Sequence, residues 1–419
     1  MLEFIIKSGL KNGFDVVDVF RKKKERKIFE YLVDFNAYHQ VFEDGYFVRA
    51  FWSNGDPVGF YLSNPDKRDI KGSFIFSASK VFPQNISNFS KLLPHKINVV
   101  NPDIYDSTFY SIEESEFLEI IARINDAVLM FPRLRIIKVV FEKLLDKSYI
   151  MNSFGLNAKY KKTTFRLNLT LMYDDNLIDI NETSPFYNNI HPFRLVSRAY
   201  NILNSFSERE NNKNYEYFVL SPEAVITILK VFSEKFKGEL NFNNDKFLAS
   251  TKLNIVDNPL LNRGTGSVCF DDEGVQSNEN YLIRKGIFQS TINNIESGFK
   301  LNKDSTGNGF RRKNVVFPDV KFTNLYIKEG LYSIKNILND LGYGIIVSTL
   351  KLREKKGDSH LFSGYAYDFV GNEMRDNWKV ELDIDFFGFF KNIVQISKEI
   401  KFFYSDFNIG SPYLVLRRN

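Results

Sequence analysis

The sequence is poor in the residues that most often carry chemistry: one cysteine and four histidines in 419 residues. A single thiol, Cys269, excludes an intramolecular disulfide and agrees with a reducing compartment. The imidazoles of His39, His95, His191 and His360 lie far apart in the chain, and no pair has the one-turn spacing by which a helix grips a metal ion. No run approaches the roughly 20 apolar residues that a membrane-crossing helix requires. The stretch Met1–Lys7 carries charges inside its apolar residues, which a secretory signal does not. A soluble cytoplasmic protein without membrane association is therefore expected. The net charge of +5 is too small over this length to imply nucleic acid unless the basic residues cluster.

What remains is an ordinary globular balance, with 43% hydrophobic and 26% charged residues. The length allows two or three domains of roughly 150 residues each. Phenylalanine is abundant, at 42 residues. In a chain rich in Lys, Asn and Ile, that points to codon bias rather than to an aromatic surface.

Residues 2–12 read as an amphipathic helix closed by Gly13. Strand-like runs Asp15–Phe20 and Lys27–Val33 flank the basic stretch Arg21–Arg26, which reads as a solvated hairpin tip. Ser111 with Glu114 has the spacing of a capping box, and Phe117, Ile120, Ile121, Ile124 and Val128 follow at helical intervals. From Phe165 to Tyr173 the period changes to two, so a strand with one buried face is expected. Asn152-Ser153-Phe154-Gly155 is a turn between strands. A helix should open at His191-Pro192 and run to about Ser205, with a polar linker at 208–214. Ser221-Pro222-Glu223 starts a further helix towards Phe236, ended by Gly238. Beyond it, short strands and two more helices, near Leu331–Leu341 and Asp385–Ile396, are expected. The chain thus reads as α+β with two domains: residues 1–207, helix plus antiparallel sheet, and residues 208–419, rich in strand.

The most distinctive stretch contains Asp257-Asn258-Pro259, Gly264-Thr265-Gly266-Ser267, Phe270-Asp271-Asp272-Glu273-Gly274-Val275, Tyr281–Gly286, Ser305-Thr306-Gly307-Asn308-Gly309 and Thr323-Asn324-Leu325-Tyr326. Near the end come Gly410-Ser411-Pro412 and Leu414-Val415. Blocks of this kind in this order resemble the TldD/PmbA family, strongly in the second half and loosely before residue 135. In that family, TldD-type chains carry H-E-x-x-x-H on a helix and bind zinc with a further cysteine near the C-terminus. Here the corresponding region reads Ser221–Lys230 without histidine, and so resembles the TldE/PmbA type.

The resemblance implies no zinc in this chain and no catalytic residue of its own. It implies a TldD-like partner that brings zinc, the two chains together cleaving unfolded or modified peptides, as in precursor processing or degradation of small disordered proteins. Two further readings stay open: a homodimeric, non-enzymatic peptide-binding protein of the same fold, and a nucleic-acid factor, against which the low charge argues. Asp271, Asp272, Glu273 and Gly274, with Ser305, Thr306, Gly307, Asn308 and Arg311, are the candidate residues for a subunit interface or peptide cavity. On a strand, Asp271 and Glu273 would face one way, where two carboxylates could hold a cation or share a proton. Both subunit types of the family carry this block, which fits a turn, a backbone cap or the subunit interface better than chemistry.

Overall fold

A computed structural model describes all residues except 33–34, 53–56, 80–88, 207–208, 210–214, 239–248, 314, 358 and 418–419. The expected linker falls, apart from Arg209, outside the described residues, as does Val33.

The first half comprises α1 (Leu2–Lys11), β1 (Val16–Leu32), β2 (Phe35–Phe51), β3 (Val58–Ser63), α2 (Lys67–Ser79), α3 (Glu114–Leu129), β4 (Leu134–Asn152), β5 (Asn157–Tyr173), β6 (Asn176–Ser184) and α4 (Pro192–Asn204). Its strands form one antiparallel sheet in the order β3-β2-β1-β4-β5-β6. Strict alternation divides the sheet into two faces. Val17, Val19, Val48 and Ala50 pack against α1 and α2, while Val139, Phe141, Phe165, Leu167 and Leu169 pack beneath α3 and α4. The opposite residues, among them Asp18, Phe20, Lys22, Arg49, Asp146 and Lys162, face the second half of the chain.

Three expectations change here. The basic run is no hairpin tip: Arg21–Arg26 lies inside the 17-residue β1, paired with β2 on one side and β4 on the other. Charges are tolerated in a central strand because acids arrive on its neighbours: Asp44 on β2 binds Arg21, and Glu142 and Asp146 on β4 face Arg26 and Lys22. The α3 box is also displaced. Glu113 caps with Glu116, while Ser111 ends a preceding short 3-10 turn and donates to Thr108 O. Helix α2 had no counterpart in the sequence reading. The turn at Gly155 (φ +98°) stands where expected.

The second half comprises β7 (Tyr217–Leu220), α5 (Pro222–Ser233), β8 (Ile255–Asp257), β9 (Asn280–Arg284), β10 (Ile287–Phe288), α6 (Ile295–Lys300), β11 (Gly309–Phe310), β12 (Asp319–Val320), β13 (Asn324–Ile327) and α7 (Ile334–Leu341). It continues through β14 (Tyr343–Lys356), β15 (Ser359–Val370), β16 (Glu373–Asp385), α8 (Phe386–Lys391), β17 (Ile393–Ile396), β18 (Lys401–Tyr404), β19 (Asn408–Ser411) and β20 (Leu414–Arg417). Two six-stranded mixed sheets result, β10-β9-β8-β13-β19-β18 and β16-β15-β14-β7-β20-β17.

Helix α5 packs against both sheets. Ala224, Val225, Ile228, Leu229 and Phe232 share one core with Ile255, Leu325 and Ile409 of the first sheet and Ile345, Val347 and Phe362 of the second. A helix apolar on most of its circumference is expected in such a place. Its start is fixed by Ser221, whose Oγ accepts from Ala224 N at 3.1 Å and donates to Ser348 O at 2.6 Å. Here too two expectations change: β14, β15 and β16 are long, and the last helix stops at Lys391, with Ile393–Ile396 pairing as a strand.

Candidate functional site

The Asp271–Glu273 block is a turn, not a strand, so its side chains do not alternate. Asp271 Oδ1 accepts from Glu273 N and Val275 N, and Oδ2 from Gly309 N. Burial and the neighbouring Glu273 raise the Asp271 pKa, against the pull of those backbone donors. Asp272 Oδ2 accepts from Arg311 N at 2.9 Å. Gly274 has φ +81°, and a Cβ there would meet Leu156 Cδ2 at 2.5 Å.

Glu273 crosses to the first sheet. Its Oε1 accepts from Arg49 Nη1 at 2.6 Å and its Oε2 from Ile295 N at 2.8 Å. Arg49 also donates to both oxygens of Asp18, and Arg311 Nη2 donates to the same Asp18 at 2.5 Å. Asp18, Arg49, Glu273 and Arg311 form an ionic junction whose side chains are at most 2% exposed. Burial pushes the Asp18 carboxyl up, but Arg311 and Arg49 together hold it below the usual aspartate range.

The remaining motif residues build a second buried network. Asp257 accepts from Thr323 N, Thr323 Oγ1 and Asn308 Nδ2 at 2.7–3.0 Å, and burial pushes its pKa up to about 6. Thr306 Oγ1 donates to Asn308 Oδ1. Ser305 Oγ accepts from Gly307 N, whose φ is +76°. Asn324 ties Gly266 N, Asn258 O, Ser267 Oγ and Asn408 Nδ2 together. Every buried polar group needs a partner, and here the motif residues supply one another's.

Between the first sheet and these turns lies a cavity of about 340 Å³ lined by Lys22, Asp146, Tyr160, Lys162, Asp272 and Arg311 among others. Through Thr265 and Tyr404 it continues into a cavity of about 270 Å³, which shares Arg194, Arg198, Phe402 and Phe403 with a third of about 1070 Å³. The three form one trough, bordered throughout by β18, the last strand of its sheet. The largest part opens at the start of α5, where Ser221 and Glu223 line it.

Residues 214–418 match the PmbA/TldA metallopeptidase C-terminal domain. The chain belongs to the TldD/PmbA family. A metalloprotease TldD homolog of Buchnera aphidicola is 33% identical over 26% of this chain and 23% of its own length. The chain spans only between 13% and 38% of the length of the metalloprotease relatives compared. TldE from Thermococcus kodakarensis superposes with a TM-score of 0.77 at 16% identity, over 99% of this chain and 98% of that one. A Thermotoga maritima protein described as a modulator of a DNA gyrase gives 0.83 at 15% identity, over 99% and 98%. At such identities the likeness speaks for the fold.

In this TldD/PmbA-family chain, α5 stands where the resemblance puts the zinc-binding helix of TldD. A peptidase zinc takes about three protein ligands and leaves one position for water. Helix α5 offers its cavity one carboxylate, Glu223, with Lys401 Nζ 3.8 Å away. Among the described residues no group of three or more His, Cys, Asp or Glu could hold a metal ion. These residues do not fit a zinc ion. Cys269 is buried beside Phe20 and Ile150, and burial raises its pKa to about 11.

Of the sequence-derived candidates, Asp272 and Arg311 line the trough, Asp271 and Glu273 lie buried behind it, and Ser305–Asn308 serve the polar network. Sequence reasoning missed Arg49, Lys162 and Arg198. Lys162 donates to Ser267 O at 3.0 Å, and burial together with nearby Lys22 lowers its pKa to about 8. After reductive methylation with a carbon-13 label, one lysine should titrate near pH 8 by NMR and vanish in Lys162→Gln. A spectrum in which no signal titrating near pH 8 is lost in Lys162→Gln contradicts this environment.

Proposed function

We propose that this chain is a TldE-like, metal-free subunit of a two-chain zinc peptidase. A TldD-like partner supplies the zinc and the general base. This chain supplies a wall that receives extended peptide.

The observation that carries the reading is the largest part of the trough, about 1070 Å³, opening at the start of α5 with Glu223 in its lining and no imidazole. That volume suits a peptide segment better than a small metabolite. Strand β18 borders it as a sheet edge, and an extended chain can present backbone N–H and C=O groups to such an edge. The apolar lining of Phe193, Ile346 and Phe402 removes water from side chains, while Arg194, Arg198 and Lys401 orient polar ones.

The test is reconstitution. The full chain, its candidate partner and their mixture are assayed for zinc content and for cleavage of an unstructured peptide. The isolated chain is expected to hold no stoichiometric zinc and to cleave nothing above background. The mixture should cleave at least about tenfold faster than the partner alone, roughly 1.4 kcal/mol of barrier. Tightly held zinc and robust hydrolysis in the isolated chain would overturn the reading, as would a mixture no faster than its parts.

A further inference from the structure

We infer that the trough selects acidic peptide segments. The inference deepens the peptide-receiving role above and rests on it.

Charge comes first. The three connected cavities are lined by eleven Lys or Arg residues against seven Asp or Glu. The whole chain carries only +5, so most of that excess is gathered on one concave surface. Two of the seven acids, Glu142 and Asp406, pair with Arg26 and Lys230 outside the trough, and three of the eleven cations, Arg311, Arg263 and Lys321, pair with Asp18, Asp103 and Asp319 outside it, so the excess of positive charge remains. A cleft lined by one sign of charge focuses its field on a ligand of the other.

Three cations lack a full partner. Arg198 stacks on the Phe403 ring at 5.0 Å and donates through Nη2 to Asn181 O, while its buried Nε has no hydrogen-bond partner. Glu223 and Glu182 act on it through space, yet neither makes an ion pair with it. Arg166 lies over the next ring of the same strand, Tyr404, at 5.1 Å and donates through Nε to Thr183 Oγ1 at 3.3 Å, while its ion pair with Glu142 is a long one, 3.9 Å from Nη1. Lys162 is held by a backbone carbonyl, Ser267 O. A guanidinium laid on an aromatic ring keeps its planar fork fixed, which suits a carboxylate.

The arrangement also favours polypeptide over other polyanions. Both rings that carry the arginines belong to β18, the strand whose outer edge has no strand partner among the described residues. A peptide running along that edge could form main-chain hydrogen bonds while its acidic side chains reach Arg198 and Arg166.

The experiment is fluorescence anisotropy on the full chain, alone and mixed with its TldD-like partner. The probes are labelled unstructured peptides of equal length, differing only in carrying Glu, Gln or Lys at alternate positions, and a single-stranded oligothymidylate. The Glu peptide should bind at least about tenfold more tightly than the Gln peptide, the size of a charge-assisted hydrogen bond. The double variant Arg166→Gln/Arg198→Gln, and separately Lys162→Gln, should reduce that preference several-fold, the Gln peptide being measured on each variant as the reference. Unchanged melting by circular dichroism shows that the variants fold. Equal affinity for Glu and Gln peptides, or a preference untouched by either variant, overturns the inference and leaves the peptide-receiving role standing. Oligothymidylate bound more tightly than the Glu peptide overturns it in favour of nucleic acid. Failure of all three peptides to bind, with or without the partner, strikes the peptide-receiving role itself.

Discussion

Arg49→Met is expected to cost the fold about 3–5 kcal/mol, because it removes one member of a buried ionic cluster and strands the others. Arg49 is 1% exposed and serves Asp18 and Glu273 at once, one on β1 and one in the second half of the chain. Without it, Glu273 keeps its Ile295 N–H donor but loses its only ion pair among the described residues. Asp18 keeps Arg311 alone. Urea unfolding of the wild type and the variant measures the loss, and a change under about 1 kcal/mol would refute the assignment.

The pH dependence has a definite sign. The native pKa of Asp18 is depressed, so its stabilisation is complete above the ordinary aspartate range. It is lost only as the pH falls through the lowered native value. Removing Arg49 should move that acid transition to higher pH.

Gly266→Ala should be comparably damaging, by steric overlap rather than charge. A Cβ at position 266 would stand 1.9 Å from Thr323 O and 2.6 Å from its carbonyl carbon. Neither atom belongs to a flexible side chain, so the backbone itself must move. That movement disturbs Asn324, which accepts from Gly266 N at 2.9 Å, bonds the adjacent Ser267 Oγ and joins two further segments at Asn258 and Asn408. Overpacking of this sort costs typically 1–3 kcal/mol and occasionally more. We expect the upper end, about 3 kcal/mol, by the same unfolding measurement. A variant as stable as the wild type would show that Thr323 can yield.

Local chemistry made many elements legible in advance. The Ser221 cap, the His191-Pro192 opening, the α3 stripe and the alternation of β5 each depend on neighbours within a few residues. The family motifs were legible as blocks, though not as a hydrogen-bonded unit. The misreading of the basic run has a non-local cause. A run such as Arg21–Arg26 looks like a solvated tip because Asp44, Glu142 and Asp146, which make it tolerable in a central strand, are remote in sequence. Arg49 gave no signal for the same reason: Glu273, its partner, is 224 positions away. The trough cations stand out only once β5, α4 and β18 are brought together. A weaker signal for them existed, since the even positions of β5 place Lys162, Thr164 and Arg166 opposite the apolar face.

The strand order β3-β2-β1-β4-β5-β6 has a consequence for assembly. Each outer triplet is a meander of near neighbours, able to close at small entropic cost. The seam joining them, β1 against β4, unites segments as remote as Arg26 and Glu142, 116 positions apart. Zipping that seam brings Lys22 Nζ to 3.7 Å from Asp146 on the neighbouring strand and completes the floor on which the second half rests. Contacts so distant along the polypeptide are the slow ones in folding, so this wall of the trough is created only when the two meanders meet.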